Sequence, residues 1–281
     1  MNNSVNVESQ SAQANAFRAM HRDPKILVLP NAWDVASARI FEEAGVAAIA
    51  TSSAGIAFSL GYPDGQKISR DEMLAAVARI TAKGKIPVTA DVEAGYGDKP
   101  EDAALTASRV IEAGAVGLNL EDATGDPEHP LSELSLQLEK IGAVHEVAEG
   151  AGVPLVLNAR TDVYLLQVGE PDTRYGETVR RLAAFRDAGA DCLFVPGLRD
   201  PGTIGQLVQE LQFPVNILGG PGSPSIPELQ RLGVARVSLG SSPMRATLGL
   251  AQRIAEELQT SGTYRTLEGA PSHAEVNRML A

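Results

Sequence analysis

The chain has a single cysteine, a single tryptophan and few aromatic residues, 4% of its 281 positions. A lone Cys192 excludes an internal disulfide and a cysteine-rich zinc centre, and it suits a reducing compartment. Basic residues are also scarce: 24 Lys and Arg stand against 35 Asp and Glu, a formal net charge of -11. Nucleic acid needs a basic face and an anionic membrane surface repels such a chain, so neither is an expected partner. No apolar stretch approaches the roughly 20 residues of a membrane span. Residues 1–15 lack the apolar run of a signal peptide. The expectation is a cytoplasmic protein that holds any anionic ligand by local groups rather than by its overall field.

What the sequence does have is alternation. Beta-prone runs fall at 25–29, 47–50, 87–91, 116–120, 154–157, 192–195, 214–218 and 236–239. Between them lie helical patterns at 36–44, 101–113, 133–149, 175–188 and 243–258, and one that starts at Ser69, an N-cap with Glu72 three residues on. Gly45, Gly114, Gly189 and Gly233 each close a helical stretch just before a strand. The strands are too apolar to have a wet face, which indicates a parallel sheet covered on both sides. About eight such units predict an α/β fold of the closed (β/α)8 TIM-barrel type. An open doubly wound sheet is the alternative, weakened by the lack of a Gly-x-Gly-x-x-Gly turn after the first strand. No linker divides residues 1–281, which read as one barrel domain. Residues 1–22 form an N-terminal helix or arm, and 243–281 a C-terminal helix and tail.

Catalytic groups of a barrel gather at the carboxyl ends of its strands. Those ends carry Thr51, Ser52 and Ser53, then Asp91 and Glu93, Glu121, Arg160 and Asn216. Residues i and i+2 of a strand share a face. Asp91 and Glu93 placed that way need a cation or a raised pKa to coexist. Hard oxygen ligands suit Mg²⁺, with Mn²⁺ as the alternative. Arg160 offers a planar fork to a carboxylate or oxyanion, and the amides of Ser52 and Ser53 are candidates for a second anionic group. Such a set fits a small carboxylate whose adjacent carbonyl reaches the metal, with an enolate stabilised as the next bond breaks. Bland readings stand beside these: a solvated acidic loop for Asp91 and Glu93, a structural salt bridge between Glu121 and Arg160, and a plain turn for Pro63-Asp64-Gly65. His129 reads as a solvated loop histidine, and Trp33 as a pocket wall or a barrel cap. The glycine-rich turns at 219–223 and 240–242 lie where many barrels bind phosphate, rim turns being the alternative.

Four stretches carry a resemblance: Ser59-Leu60-Gly61-Tyr62-Pro63-Asp64, Asp91-Val92-Glu93-Ala94-Gly95-Tyr96-Gly97, Gly117-Leu118-Asn119-Leu120-Glu121-Asp122 and Asn158-Ala159-Arg160-Thr161-Asp162. In this order, over roughly residues 25–250, the chain resembles the isocitrate lyase/phosphoenolpyruvate mutase superfamily. The resemblance implies direct Mg²⁺ binding by Asp91, with Glu93 and Glu121 holding the ion largely through water. It implies catalytic roles for Asp64, Arg160 and Glu121, and substrate binding by Arg160, Asn216 and the backbone around Thr51, Ser52 and Ser53. It also implies a homodimer or homotetramer in which a C-terminal helix is exchanged between subunits.

Departures narrow this. Where the lyases have a Lys-Lys/Arg-Cys-Gly-His loop after the fourth strand, this chain has Ala123-Thr124-Gly125-Asp126-Pro127-Glu128-His129-Pro130. Cys192 starts a strand, at the wrong end of a barrel to replace the missing thiol. The lyases' Glu after the sixth strand gives way to Val195-Pro196-Gly197. The expected activity is therefore Mg²⁺-dependent cleavage or formation of a C–C or P–C bond in an oxaloacetate- or phosphonopyruvate-like 2-oxo acid through a metal-stabilised enolate, with residues 123–132 as a lid. An isocitrate or 2-methylisocitrate type of lyase using a different acid, and a non-catalytic 2-oxo acid binder, are the alternatives.

Overall fold

Short apolar strands and longer helices alternate through the computed structural model of the chain, which describes residues 7–281. Helix α1 (Val7–Met20) precedes β1 (Leu27–Leu29), β2 (Asn31–Ala32), α2 (Val35–Glu43), β3 (Ile49–Thr51), α3 (Ser53–Ser59) and α4 (Arg70–Lys83). The next units are β4 (Val88–Asp91), α5 (Pro100–Glu112), β5 (Gly117–Glu121), α6 (Leu134–Gly150), β6 (Val156–Arg160) and α7 (Pro171–Asp187). The chain then runs through β7 (Cys192–Val195), α8 (Pro201–Leu211), β8 (Val215–Leu218), α9 (Ile226–Arg231), β9 (Arg236–Ser238) and α10 (Ser242–Thr260). A 3₁₀ turn (Arg265–Leu267) and α11 (His273–Leu280) end it.

Every strand pairing is parallel, in the order β1-β9-β8-β7-β6-β5-β4-β3-β2. Segments β1 and β2 are one strand broken at Pro30, which has no N–H to give to a ladder. Its first half pairs with β9 and its second with β3, so this strand closes the sheet into a (β/α)8 barrel. The side chain of Asn31 fastens the closure: Nδ2 donates to the Thr51 carbonyl at 2.8 Å, and Oδ1 accepts from the amides of Leu239 (2.7 Å) and Gly240 (2.9 Å).

Helix α1 covers the amino ends of the strands. Arg18 pairs with Asp191 at 2.7 Å and donates to the Leu155 carbonyl, both just ahead of strands. Phe17 is fully buried there. A Cβ on Gly117 would lie 3.1 Å from the Phe17 ring and 2.7 Å from the Val156 carbonyl, so only glycine leaves room at the start of β5. On the outside, the expected cap of α4 is present, with Ser69 Oγ accepting from the Glu72 amide. Such a cap contributes about 1 kcal/mol.

Several boundaries differ from the sequence reading. Strand β6 does not stop at residue 157; it runs on to Arg160 because Asn158, Ala159 and Arg160 all stay in register with β5. Helices α3, α8 and α9 were not anticipated. The first is a buried, uncharged seven-residue segment without a polar face to mark it, and the last has only six residues. Helix α8 carries a readable start, Asp200 as N-cap followed by Pro201. The first six residues of the expected N-terminal arm lie outside the described residues. Among the described residues no helix is long and apolar enough to cross a membrane. Helix α10 buries only Met244 of its 19 residues and leaves Leu248, Leu250 and Leu258 exposed.

Candidate active site

A cavity of about 300 Å³ opens among the carboxyl ends of the strands. Thr51, Ser52, Ser53, Asp64, Asp91 and Arg160 line it, while Glu93, Glu121 and Asn216 do not. Asp91 is held by three hydrogen bonds. Its Oδ2 accepts from the Ser53 amide (3.1 Å) and hydroxyl (2.7 Å), and its Oδ1 from Asn119 Nδ2 (3.2 Å). Its own amide donates to Thr51 Oγ1. Asn158 in turn donates to Asn119 Oδ1 at 2.5 Å, so neighbouring strands support one carboxylate from below.

These bonds correct the expected anion role of the Ser52 and Ser53 amides. Both residues are buried, the Ser52 N–H donates to the Ala32 carbonyl, and the Ser53 N–H is taken by Asp91. Ser53 holds a protein carboxylate, while Ser52 Oγ accepts from the Gly55 amide and caps α3.

Glu93 also departs from the i, i+2 argument. Strand β4 ends at Asp91, and Glu93 sits beyond it with φ +51°, in the left-handed region. Its side chain is buried, Oε2 accepting from the Gln66 amide at 2.6 Å. Gln66 Oε1 accepts from the Tyr96 amide, so one glutamine fastens the loop that carries Asp64 to the turn after β4. Glu93 Oε1 is buried without a partner.

Arg160 ends β6 and meets two carboxylates. Its Nε and Nη2 donate to Asp162 at 2.6 and 2.8 Å, a two-point clamp, and Nη1 lies 2.6 Å from Glu121 Oε2. The Phe194 ring underlies the guanidinium, 5.7 Å from its centroid. Behind this clamp is fully buried Asp122. It accepts from the Asp162 amide, the Thr161 hydroxyl and Arg181, fixing the turn that sets Asp162.

Burial governs the electrostatics. It pushes the Glu93 carboxyl up to about 7, with Asp91 and Asp64 adding to the effect. It raises Glu121 well above the ordinary carboxylate range, where Asp162, Asp91 and Glu93 work against the pull of Arg160. Asp64 is raised in the same direction by partial burial and then by Asp91. Burial works against the charge on Arg160, but Glu121 and Asp162 more than offset it and raise the guanidinium above its ordinary value. Five carboxylates thus feel one another around one arginine. Acids so disposed cannot all ionise at neutral pH without further positive charge.

Residues 17–259 match the phosphoenolpyruvate phosphomutase family. The chain belongs to that family. It is an enzyme fold of the isocitrate lyase/phosphoenolpyruvate mutase superfamily, with lyases and a mutase family as relatives. It is similar to a solved structure from Burkholderia cenocepacia J2315 named only by class, as a lyase/mutase, at 40% identity and a TM-score of 0.91, covering 98% of this chain and 97% of that one. It is 30% identical to an oxaloacetate decarboxylase of Rhodopseudomonas palustris over 84% of this chain and 81% of that one. With 2-methylisocitrate lyase of Escherichia coli K12 the identity is 26%, over 92% and 88% of the two chains.

Against this superfamily background the remaining predicted residues fall into place. Asn216 is fully buried in the barrel and bonds Ser238 Oγ at 3.1 Å; it stands behind a cavity-lining serine instead of facing the cavity. Trp33 lines a separate surface groove with Leu60 and Leu280, not the mouth. Segment 123–132 forms an internally bonded loop, exposed over 124–129 and closed by an Ala123–Leu131 bridge, and none of its residues lines the cavity. His129 faces solvent there beside Asp126. Cys192 is fully buried at the start of β7, and burial pushes its thiol up to about 12. Gly197, at φ +88°, lets the loop after β7 pass within contact of Leu165, where a Cβ would come to 2.8 Å of a backbone nitrogen. Sequence reasoning missed Asp162, Asn119 and Asp122 as site residues, although all three stand in the quoted motifs. Asp122 and Asp162 had a signal in adjacency, as acids one and two residues past the ends of β5 and β6, whereas Asn119 lies inside β5.

Proposed function

We propose that this chain is a Mg²⁺-dependent enzyme acting on a small 2-oxo acid of the oxaloacetate or phosphonopyruvate kind, making or breaking the C–C or P–C bond beside the carbonyl. The observation that carries this reading is the convergence of Asp64, Asp91, Glu93, Glu121 and Asp162 on Arg160 at one barrel mouth. The donor set fits a hydrated ion. Among the described residues no three carboxylates close on a single point, Asp91 Oδ1 accepts only one bond, and Glu93 Oε1 is buried and unmatched. Mg²⁺ keeps several waters and takes one or two carboxylates, and Mn²⁺ shares its preference for oxygen. Asp91 would hold it directly, with Glu93 and Glu121 reaching its waters. When bound, the ion supplies a Lewis acid that polarises the 2-oxo carbonyl and stabilises enolate charge.

The chain's own residues do the remaining work. Asp162 locks Arg160 so that the free Nη hydrogens hold the substrate carboxylate or oxyanion in one orientation. Asp64, on the loop fastened by Gln66, has the raised carboxyl of a group able to give or take a proton near the reacting carbon. Thr51 and Ser53 keep Asp91 in place. Loop 123–132 is the lid of this scheme. The assembly is a homodimer or homotetramer, with the exposed Leu248, Leu250 and Leu258 of α10 seated on, or exchanged with, a second copy.

A metal-supplemented screen over C3–C6 2-oxo and 2-hydroxy acids, with products identified by mass, tests the reading. Mg²⁺-dependent pyruvate from oxaloacetate or phosphonopyruvate, lost in Asp91→Ala, is the expected result. Succinate from an isocitrate would replace it with a lyase, and tight 2-oxo acid binding without turnover would make the chain a binding protein.

A further inference from the structure

The turn after β4 is left-handed at two residues that are not glycine, Glu93 (φ +51°) and Tyr96 (φ +60°), with Gly95 (φ +96°) between them. A side chain stays in that region where its surroundings fix the backbone. Here the fixing comes from side chains of three helices. Thr106 Oγ1 of α5 donates to the Gly95 carbonyl, and Arg70 Nη2 of α4 to the Tyr96 carbonyl, each at 2.7 Å. Lys140 of α6 takes two points at once. Its Nζ donates to the carbonyls of Ala94 (3.2 Å) and Gly97 (2.8 Å).

Lys140 is a costly residue for such a task. It is 2% exposed, and among the described residues no carboxylate forms an ion pair with it. Burial works against its charge, and Asp98 and Asp102 pull the other way from beyond ion-pair distance. A buried ammonium is kept where its donors do what a neutral side chain does not. Its neighbour on the same face of α6 shows what that is. Gln137, one turn earlier and fully buried, donates from Nε2 to the Glu121 carbonyl at 3.2 Å. The Glu121 amide in turn donates to the Glu93 carbonyl at 3.0 Å. One helix therefore grips the backbone beside both Glu93 and Glu121, the two acids that the function proposed above sets around the waters of the ion. The charge of Lys140 is not what tunes Glu93, whose carboxyl answers to burial first and then to Asp91 and Asp64. Lys140 acts through the shape of the turn.

We propose that Lys140, seconded by Gln137, is a positioning residue for metal binding. The ammonium locks the turn at 93–97 and so aims the Glu93 carboxylate, touching neither ion nor substrate. This rests on the proposed function for the ion, but the lock on the turn can be read without metal.

The test needs a matched control, and the molecule has one. Gln10, buried on α1, donates from Nε2 to the carbonyls of Ile111 (3.0 Å) and Ala115 (2.8 Å), at the end of α5 and just ahead of β5. Gln10→Met and Lys140→Met each leave two backbone carbonyls without their donor, and both should melt below wild type. Mn²⁺ affinity, read from the free-ion signal in electron paramagnetic resonance, separates them. It should fall about tenfold in Lys140→Met and less than twofold in Gln10→Met, with Lys140→Arg recovering part of the loss. Deuterium uptake by the metal-free protein should rise over residues 62–68 and 92–98 in Lys140→Met alone, since the Gln66 and Tyr96 amides are bonded through that turn. If Lys140→Met does not fold, Gln137→Met carries the same test with the same expected directions. Mn²⁺ bound as tightly by Lys140→Met as by wild type, or an equal loss in Gln10→Met, overturns the proposal. So does unchanged uptake over 92–98. If wild type binds no Mn²⁺ while uptake still rises in Lys140→Met alone, the lock on the turn stands and the functional reading falls.

Discussion

The arc at the ends of β4, β5 and β6 and the C-terminal segment from α10 onward are built in opposite ways. In the arc nearly every polar side chain is buried and bonded to another: Asp91 to Ser53 and Asn119, Asn119 to Asn158, Arg160 to Glu121 and Asp162, and Asp162 through its amide to Asp122. Along α10 one residue of 19 is buried and three leucines face outward. The arc is finished within a single chain and admits little change, because removing one partner strands another in low dielectric. The helix is unfinished within a single chain. Its apolar residues have no work to do until something outside the barrel covers them.

The largest effect that would break this contrast is in the arc. Asp91→Ala is expected to lower turnover by about a thousandfold or more while the barrel stays folded, measured as kcat beside circular dichroism. Activity within tenfold of wild type would remove Asp91 from the chemistry. Asp162→Asn comes next. It leaves Arg160 present but loosely aimed, so kcat/KM should drop about 10- to 100-fold with KM carrying part of the loss. A kinetic profile identical to wild type would show that the clamp is ornamental.

Glu93 gives a pH signature. Its carboxyl sits at about 7 when folded against 4.5 ordinarily, so across that interval the folded state keeps a proton that the unfolded chain has lost. Stability of the metal-free protein therefore falls as pH rises from about 4.5 to about 7, by on the order of 3 kcal/mol. Glu93→Gln should flatten that slope, read by urea titrations at a series of pH values, and a slope equally steep in both proteins would sink the assignment. At the other end of the molecule, Leu250→Asp combined with Leu258→Asp should shift the protein to a smaller species in sedimentation while leaving the monomer's spectrum intact. Unchanged mass would leave α10 without the role given to it. The smallest effect is expected at His129, where replacement by alanine should change kcat by less than twofold, in keeping with its exposed place beside Asp126.

How legible each region was follows from the physics of its residues. The barrel was readable because parallel strands buried on both faces are continuous apolar runs, and Gly45, Gly114, Gly189 and Gly233 mark the turns that feed them. The motif residues at the mouth were readable as types, but their directions were not. Glu93 was assigned a strand face, yet the chain turns into the left-handed region two residues after Asp91, and no periodicity announces such a turn. Asn216 and Asp162 changed places for a similar reason. Position relative to the strand end decides whether a side chain meets the cavity or its support, and β6 ran three residues further than its apolar run implied. Arg236, which lines the cavity from β9, was invisible as a cavity residue because one charge in an apolar strand reads as an edge or an error until the barrel closes around it.

That closure has a consequence for how the protein is made. Asn31, bonded to the end of β3, reaches the turn after β9 at Leu239, 208 residues away along the chain. Contacts of such sequence separation form late and slowly. A nascent chain still on the ribosome can lay down β2 through β8 in turn, but the wall that carries Thr51 and the wall that carries Arg236 are brought face to face only when the ninth strand emerges. Until then the open edges of β1 and β8 are unpaired, and no binding cavity exists for a ligand to stabilise.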